Sequence, residues 1–228
     1  MFRIARLAAV AAVVTIFAAS AAAQQAALPA ALTQAVAGSR EAKVDYAFDM
    51  AIDSSKQNWR THYDPHAQPK LQLLQPRRED LTGDERRAFD DAAAHMEGVS
   101  WCAGENMSHV DNVRPIREDA DTITYSFQPT RESVRGEGAR QFADRVRGEM
   151  TITKVNPDIT HMRIFTPAPF SPVVLVRIDS ININIDCAVA PNGRRYGAET
   201  VTDMRGSAFG QNFNEHSVQR ASNLRAPT

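Results

Sequence analysis

From residue 44 to residue 53 the side chains alternate in kind. Val44, Tyr46, Phe48, Met50 and Ile52 are apolar, while Asp45, Ala47, Asp49, Ala51 and Asp53 between them are small or acidic. Successive side chains of a strand point to opposite faces, so this two-residue period predicts a half-buried β-strand with its acids toward solvent. Asp53-Ser54-Ser55-Lys56 reads as a turn. Trp59, Thr61 and Tyr63 then alternate with Arg60, His62 and Asp64, which predicts the hairpin partner. Asp64-Pro65 ends that strand, and Lys70 to Leu74 predicts a third.

The period then changes. In Thr82-Gly83-Asp84-Glu85 the Thr82 hydroxyl and the Glu85 carboxylate can each satisfy one orphan amide of a helix N-terminus, a capping box. Phe89, Ala92, Ala93 and Met96 follow at i, i+3, i+4 and i+7, so an amphipathic helix is expected over 82–97, stopped by Gly98. A second, shorter helix is expected within 24–42, where Leu28, Leu32 and Val36 share a face. Pro29 is tolerated in its first turn, and Gly38 and Ser39 close it.

Downstream the strand pattern resumes in Ile123, Tyr125 and Phe127. It continues in two runs, 147–155 and 159–165, flanking the turn Asn156-Pro157-Asp158. Residues 130–140 are charged and aperiodic and read as an exposed loop, and Pro167, Pro169 and Pro172 punctuate a linker around Phe170. A long strand or a pair is expected over 173–189, with a phase slip at Asp179-Ser180. Pro191-Asn192-Gly193-Arg194 then signals a hairpin of type I′. Residues 196–204 and 206–213 complete the pattern, and 221–228 is expected to be a flexible tail. The fold expected is mainly β (α+β): about nine to ten antiparallel strands in one β-rich domain over 24–220. A sheet of that size should curl into a half-barrel or barrel-like form. The 82–97 helix would cover its concave face, beside the short N-terminal helix.

The first 23 residues change the setting. Arg3 and Arg6 precede an apolar run from Leu7 to Ala19, and Ser20-Ala21-Ala22-Ala23 offers the small residues a signal peptidase accepts, so a signal peptide cleaved after Ala23 is expected. The protein would then be exported, to the periplasm of a Gram-negative source or otherwise to the exterior, with no transmembrane segment in the remaining chain. Charge is nearly balanced at 26 Lys+Arg against 27 Asp+Glu, which leaves no electrostatic footprint for nucleic acid. Cys102 and Cys187 are the only cysteines. In an oxidising compartment a disulfide is the simplest reading, closing a loop of about 86 residues worth roughly 4–5 kcal/mol. Two buried thiols or a reactive thiol are the alternatives.

Candidate chemistry is sparse. His62, Asp64 and His66 form an H-x-D-x-H string open to a metal reading, but a strand turns His62 and Asp64 to one polar face and Pro65 breaks the strand before His66. His95 borders the apolar stripe of its helix, and His109, His161 and His216 are scattered. Ser100, Ser171 and Ser207 lack a nucleophile-elbow context, and no zinc, phosphate-loop or calcium-loop motif occurs. No catalytic residue, metal ligand or cofactor is assigned. The apolar stripes are more informative. Tyr46, Phe48, Met50, Trp59, Phe89, Met96, Tyr125 and Phe127 could be plain core, or could line a cavity for a hydrophobic guest between sheet and helix.

The leader, the short helix before Val44, the strand Tyr46-Ala47-Phe48-Asp49-Met50, the strand end Tyr63-Asp64-Pro65 and the helical insertion together resemble the periplasmic lipoprotein-carrier group, the LolA/LolB-like half-barrels. The resemblance is architectural, spans most of residues 28–218, and places the chain on a divergent branch. The Cys102–Cys187 pair and the Pro167–Pro172 segment fall outside it. It implies acyl chains held on a concave face under a helical lid that would include 82–97. The function expected is therefore a monomeric, exported, non-catalytic binder of a lipid or other hydrophobic small molecule. One alternative is an envelope component that engages a partner protein through a sheet edge or the 166–172 loop. The other is a hydrolase with a dispersed active site.

Overall fold

The computed structural model describes residues 28–41, 45–134 and 137–226. The expected signal peptide, residues 1–23, lies outside them, as do the first residues of the expected N-terminal helix. The alternation at the start of the chain becomes β1 (Ala47–Ser54), which pairs with β2 (Asn58–Tyr63) in the register Phe48↔Tyr63, Met50↔Thr61, Ile52↔Trp59. Directly opposed residues share a face, so these six side chains form one surface, apolar except for the buried Thr61.

Nine further strands follow: β3 (Leu71–Gln75), β4 (Asp111–Glu118), β5 (Thr122–Gln128), β6 (Arg147–Thr153), β7 (Ile159–Phe165), β8 (Phe170–Val173), β9 (Val176–Val189), β10 (Arg195–Ala208) and β11 (Gln211–Arg225). All eleven belong to one antiparallel sheet in the order β3-β2-β1-β11-β10-β9-β7-β6-β5-β4, with β8 also paired to β9. The sheet is mainly β as expected and has two more strands than the lower count. β4 was missed because Pro115, Arg114, Arg117 and Glu118 erase its alternation, and β8 because prolines surround it. A proline and charges suit β4, which is an edge strand whose outer N–H groups need no partner.

Two expectations near the C-terminus are corrected. Residues 206–213 are not one strand but the hairpin between β10 and β11, turning at Phe209-Gly210. Residues 221–225 are not a loose tail. They pair with β1 through Met50↔Ala221, Asp49↔Ser222 and Ala47↔Arg225, and the ladder hides their backbone polar groups where the side chains alone look soluble.

The phase slip at Asp179-Ser180 is real, and appears as the register shift of β9 against β10 at Arg205/Gly206. Gly206 is required there because a Cβ would overlap the backbone oxygen of Arg177. The 191–194 turn is not type I′. Gly193 N–H donates to Ala190 O (2.9 Å), and positive φ falls on Gly193, not Asn192. Pro191 sets the reason: its locked negative φ suits a type I turn followed by a left-handed glycine.

The helices cover different parts of the sheet. α2 (Gly83–His95) begins with the expected capping box: Glu85 N–H donates to the Thr82 hydroxyl and Thr82 N–H to the Glu85 carboxylate (2.8 Å). Its Phe89 meets Trp59 edge-on at 5.7 Å, and with Phe48, Met50, Tyr63, Leu71 and Leu81 it fills the core over β1–β3. α1 (Ala30–Glu41) packs Leu32, Ala35 and Val36 over β5–β7, beside the 3-10 turn Glu105–His109. It runs past Gly38 and Ser39, which were expected to end it. Gly38 instead leaves space for the Arg194 guanidinium, which a Cβ would displace. α3 (Glu137–Arg140) is a single turn.

Candidate functional site

An apolar cavity lies beside the α1 core, away from α2. It measures about 370 Å³, and its floor is the inner face of the sheet: Ile181, Ile183 and Ile185 of β9 with Ile164 and Met162 of β7 and Phe127 of β5. The alternation of β9 puts those three isoleucines on one side and Asn182, Asn184 and Asp186 on the other. Gly148 on β6 lets the Phe127 ring lie flat in this wall, since a Cβ there would overlap the ring.

Two loops roof the cavity. One is 100–110, contributing Trp101, Cys102, Met107 and Val110; the other is 129–146, contributing Val134, Ala139, Phe142 and Val146. Residues 130–140 of the second were expected to be an exposed loop, and Arg131, Glu132, Ala139 and Arg140 are exposed. The loop is tied down because Asn106 Nδ2 donates to Ser133 O (3.1 Å) and the Thr130 hydroxyl to His109 O (2.5 Å). The first is pinned to β9 by the disulfide Cys102–Cys187, and to β10 by Cys102 N–H donating to Arg195 O (3.1 Å). Polar side chains in the lining are few: Asn106, Ser133 and Ser100, of which Asn106 and Ser133 already hydrogen-bond within the two loops. An apolar hollow of this size with few polar groups has the make-up of a small-molecule site.

The eight residues expected around a cavity are divided by the structure. Phe48, Met50, Trp59, Phe89 and Met96 join the packed cluster beneath α2. Tyr46 packs with Ala190 and Tyr196, its ring 6.1 Å from Trp101. Tyr125 lies in the α1 core, and Phe127 alone of the eight lines the cavity. The residues that sequence reasoning left out are chiefly Ile181, Ile183, Ile185, Phe142 and Met107. The isoleucine alternation was visible, but nothing local says which strand face is left uncovered.

The opposite face of the sheet carries three cross-strand His–Asp pairs. His62 Nδ1 meets Asp49 at 2.7 Å, His161 meets Asp186 at 2.8 Å and His216 meets Asp203 at 2.8 Å. None of these residues lines the cavity. His62 is thus engaged by Asp49, not by Asp64 or His66, and among the described residues no group of three or more His, Cys, Asp or Glu is placed to hold a metal ion. No family model, curated protein or solved structure matches this chain. No helix of the described residues is long and apolar enough to cross a membrane, which leaves strands aside.

Asp49 also accepts a hydrogen bond from Asn223 Nδ2 (2.7 Å), and that bond, followed by the one to His62, holds its carboxyl below the ordinary value of 3.8. A carboxyl depressed by folding adds stability that is present above its unfolded pKa and is lost as pH falls through the folded one. Asp49→Asn is therefore expected to lower stability at neutral pH and to flatten the acid limb of the stability–pH curve below about pH 4, so that variant and wild type converge at low pH. Parallel acid limbs for wild type and variant in urea titrations would refute this.

Proposed function

We propose that this is an exported, non-catalytic protein that binds a lipid-like molecule in the cavity between β5–β9 and the 100–110 and 129–146 loops. The observation that carries the reading is the cavity itself: about 370 Å³, walled chiefly by Ile, Met, Val and Phe, with few polar side chains in its lining. Burial of apolar surface supplies the affinity, and the few polar groups fix orientation. Export is supported by the leader-like residues 1–23 and by the Cys102–Cys187 disulfide, a bond that persists in oxidising compartments. In this reading the eleven-stranded sheet curves as a half-barrel around its guest, as in the lipoprotein-carrier group. The lid is formed by the two loops in place of helix 82–97.

The test is titration with the neutral apolar fluorophore N-phenyl-1-naphthylamine, followed by displacement with dodecanoate. Ile183→Trp places an indole in the hollow and is expected to weaken the fluorophore by at least about tenfold. The fold should survive, because the added volume enters a void and not packed core. An unchanged Kd in a folded variant, or no binding by the wild type, would overturn the proposal.

A further inference from the structure

Beyond that cavity, we infer that the paired turns at residues 173–175 and 209–210 form a docking tip that inserts into the surface of a lipid bilayer. Val173, Val174 and Leu175 end β8 and turn into β9, and Phe209 and Gly210 turn β10 into β11. The turns touch: Phe209 N–H donates to Leu175 O at 2.8 Å. Val174 is 86% exposed, Phe209 77%, Leu175 65% and Val173 61%, so four large apolar side chains project together from the end of the longest strands.

Folding does not account for them. Leu175 (φ 69°) and Phe209 (φ 51°) occupy left-handed positions that glycine or asparagine adopts at far less cost. Phe209-Gly210 is a turn in which both residues have positive φ, the place where Asn-Gly is the favoured pair. Bulky apolar residues there satisfy neither the local backbone nor the core.

Shape and charge decide the occupant. The tip is convex and presents four side chains, far short of the roughly 1,200 Å² of total buried surface that a stable protein interface needs. A bilayer asks only for apolar side chains that can reach its acyl region. Residues 164–176 and 206–214 carry no charge. The first charges behind the tip are Arg177, which pairs with Asp179 at 2.7 Å, Glu215, which pairs with Lys56, and Arg205, which has no ion pair among the described residues. That leaves one positive charge, Arg205, in excess at the depth of the lipid head groups.

The tip also adjoins the cavity. Phe170 of β8 pairs in register with buried Ile178 of β9, and the Phe170 ring lies 5.6 Å from that of Phe142, which lines the cavity. β8 therefore has the tip at its C-terminal end and Phe170, against the Phe142 wall of the cavity, at its N-terminal end.

The experiment is co-sedimentation of the chain, purified as the cell processes it, with phosphatidylcholine vesicles with and without phosphatidylglycerol. The expected result is partition into the pellet, increased by phosphatidylglycerol and reduced by salt. Leu175→Asn/Phe209→Asn should lower the partition coefficient by at least about tenfold, while its Tm holds or rises because asparagine suits both turns. A wild type that stays in the supernatant with both vesicles would overturn the inference, as would a double variant that sediments like the wild type. So would sedimentation velocity showing that the tip joins two copies of the chain, with the variant monomeric. Ile183→Trp should sediment like the wild type, so a failed cavity and a failed tip give different results.

Discussion

Opening the Cys102–Cys187 disulfide is expected to lower folding stability by about 4 kcal/mol, the larger end of what such bonds contribute. The two cysteines are 85 residues apart, and the bond removes from the unfolded chain the freedom of everything between them. That span includes β4–β8, all but the last two residues of β9 and nearly all of both loops over the cavity. Reduction also acts locally. The segment 100–104 would keep its backbone ties to β10, among them Gly197 N–H to Ser100 O (2.9 Å) and Cys102 N–H to Arg195 O (3.1 Å), and the packing of Trp101 against Tyr46, but would lose its covalent hold on β9. The cavity roof then lifts more easily, and N-phenyl-1-naphthylamine should bind more weakly to Cys102→Ala/Cys187→Ala than to the wild type. Urea unfolding with and without a phosphine reductant reads the stability. Unfolding free energies that agree to within about 1 kcal/mol would show that the native contacts suffice without the bond.

A loss of about 3–5 kcal/mol is expected for Asp158→Ala. Asp158 is 4% exposed and serves three groups. Its carboxylate accepts from Ile159 N–H (2.9 Å) and Arg195 N–H (3.0 Å), and it lies 3.5 Å from the half-sheltered Arg194 guanidinium. Arg194 in turn donates to Ala35 O of α1 at 2.7 Å. Alanine would leave two buried amides without acceptors and a cation without its partner, which costs far more than the pair itself contributes.

Because the Arg194 link holds α1 on the sheet, amide exchange should quicken in α1 before it quickens in β1 or β11. Uniform exchange across both would contradict this chain of contacts. Burial pushes the Asp158 carboxyl above its ordinary 3.8, outweighing the nearby Arg194. A raised folded pKa contributes stability that is full below the unfolded pKa and is lost as pH rises through the folded value. Asp158→Asn should remove that falling component from the stability–pH curve, the opposite sign to Asp49→Asn.

How much of this was legible beforehand differs by element. β1, β2 and α2 were readable because each carries its own signal: a two-residue period in 44–53 and 59–63, and a capping box followed by an i, i+3, i+4, i+7 stripe. β4 and the last five residues of β11 were not, because their pairing partners supply what their side chains lack. The exposed residues of the docking tip were also in view as a Val-Val-Leu run and a lone Phe-Gly. Their meeting depends on a hydrogen bond between turns 34 residues apart in the chain.

The sequence by itself determined the class of fold, the antiparallel linkage through short turns, the helix at 82–97 and the means to form one disulfide. These rest on interactions within a few residues or on simple counting. Which apolar face is packed and which is left hollow was decided only by tertiary structure. Phe48 and Ile183 sit on strands of similar alternation, yet α2 lies on one and only loops cross the other. Periodicity tells a side chain which way to point, but a cavity is the absence of a neighbour, and neighbours are assigned by the path of the whole chain.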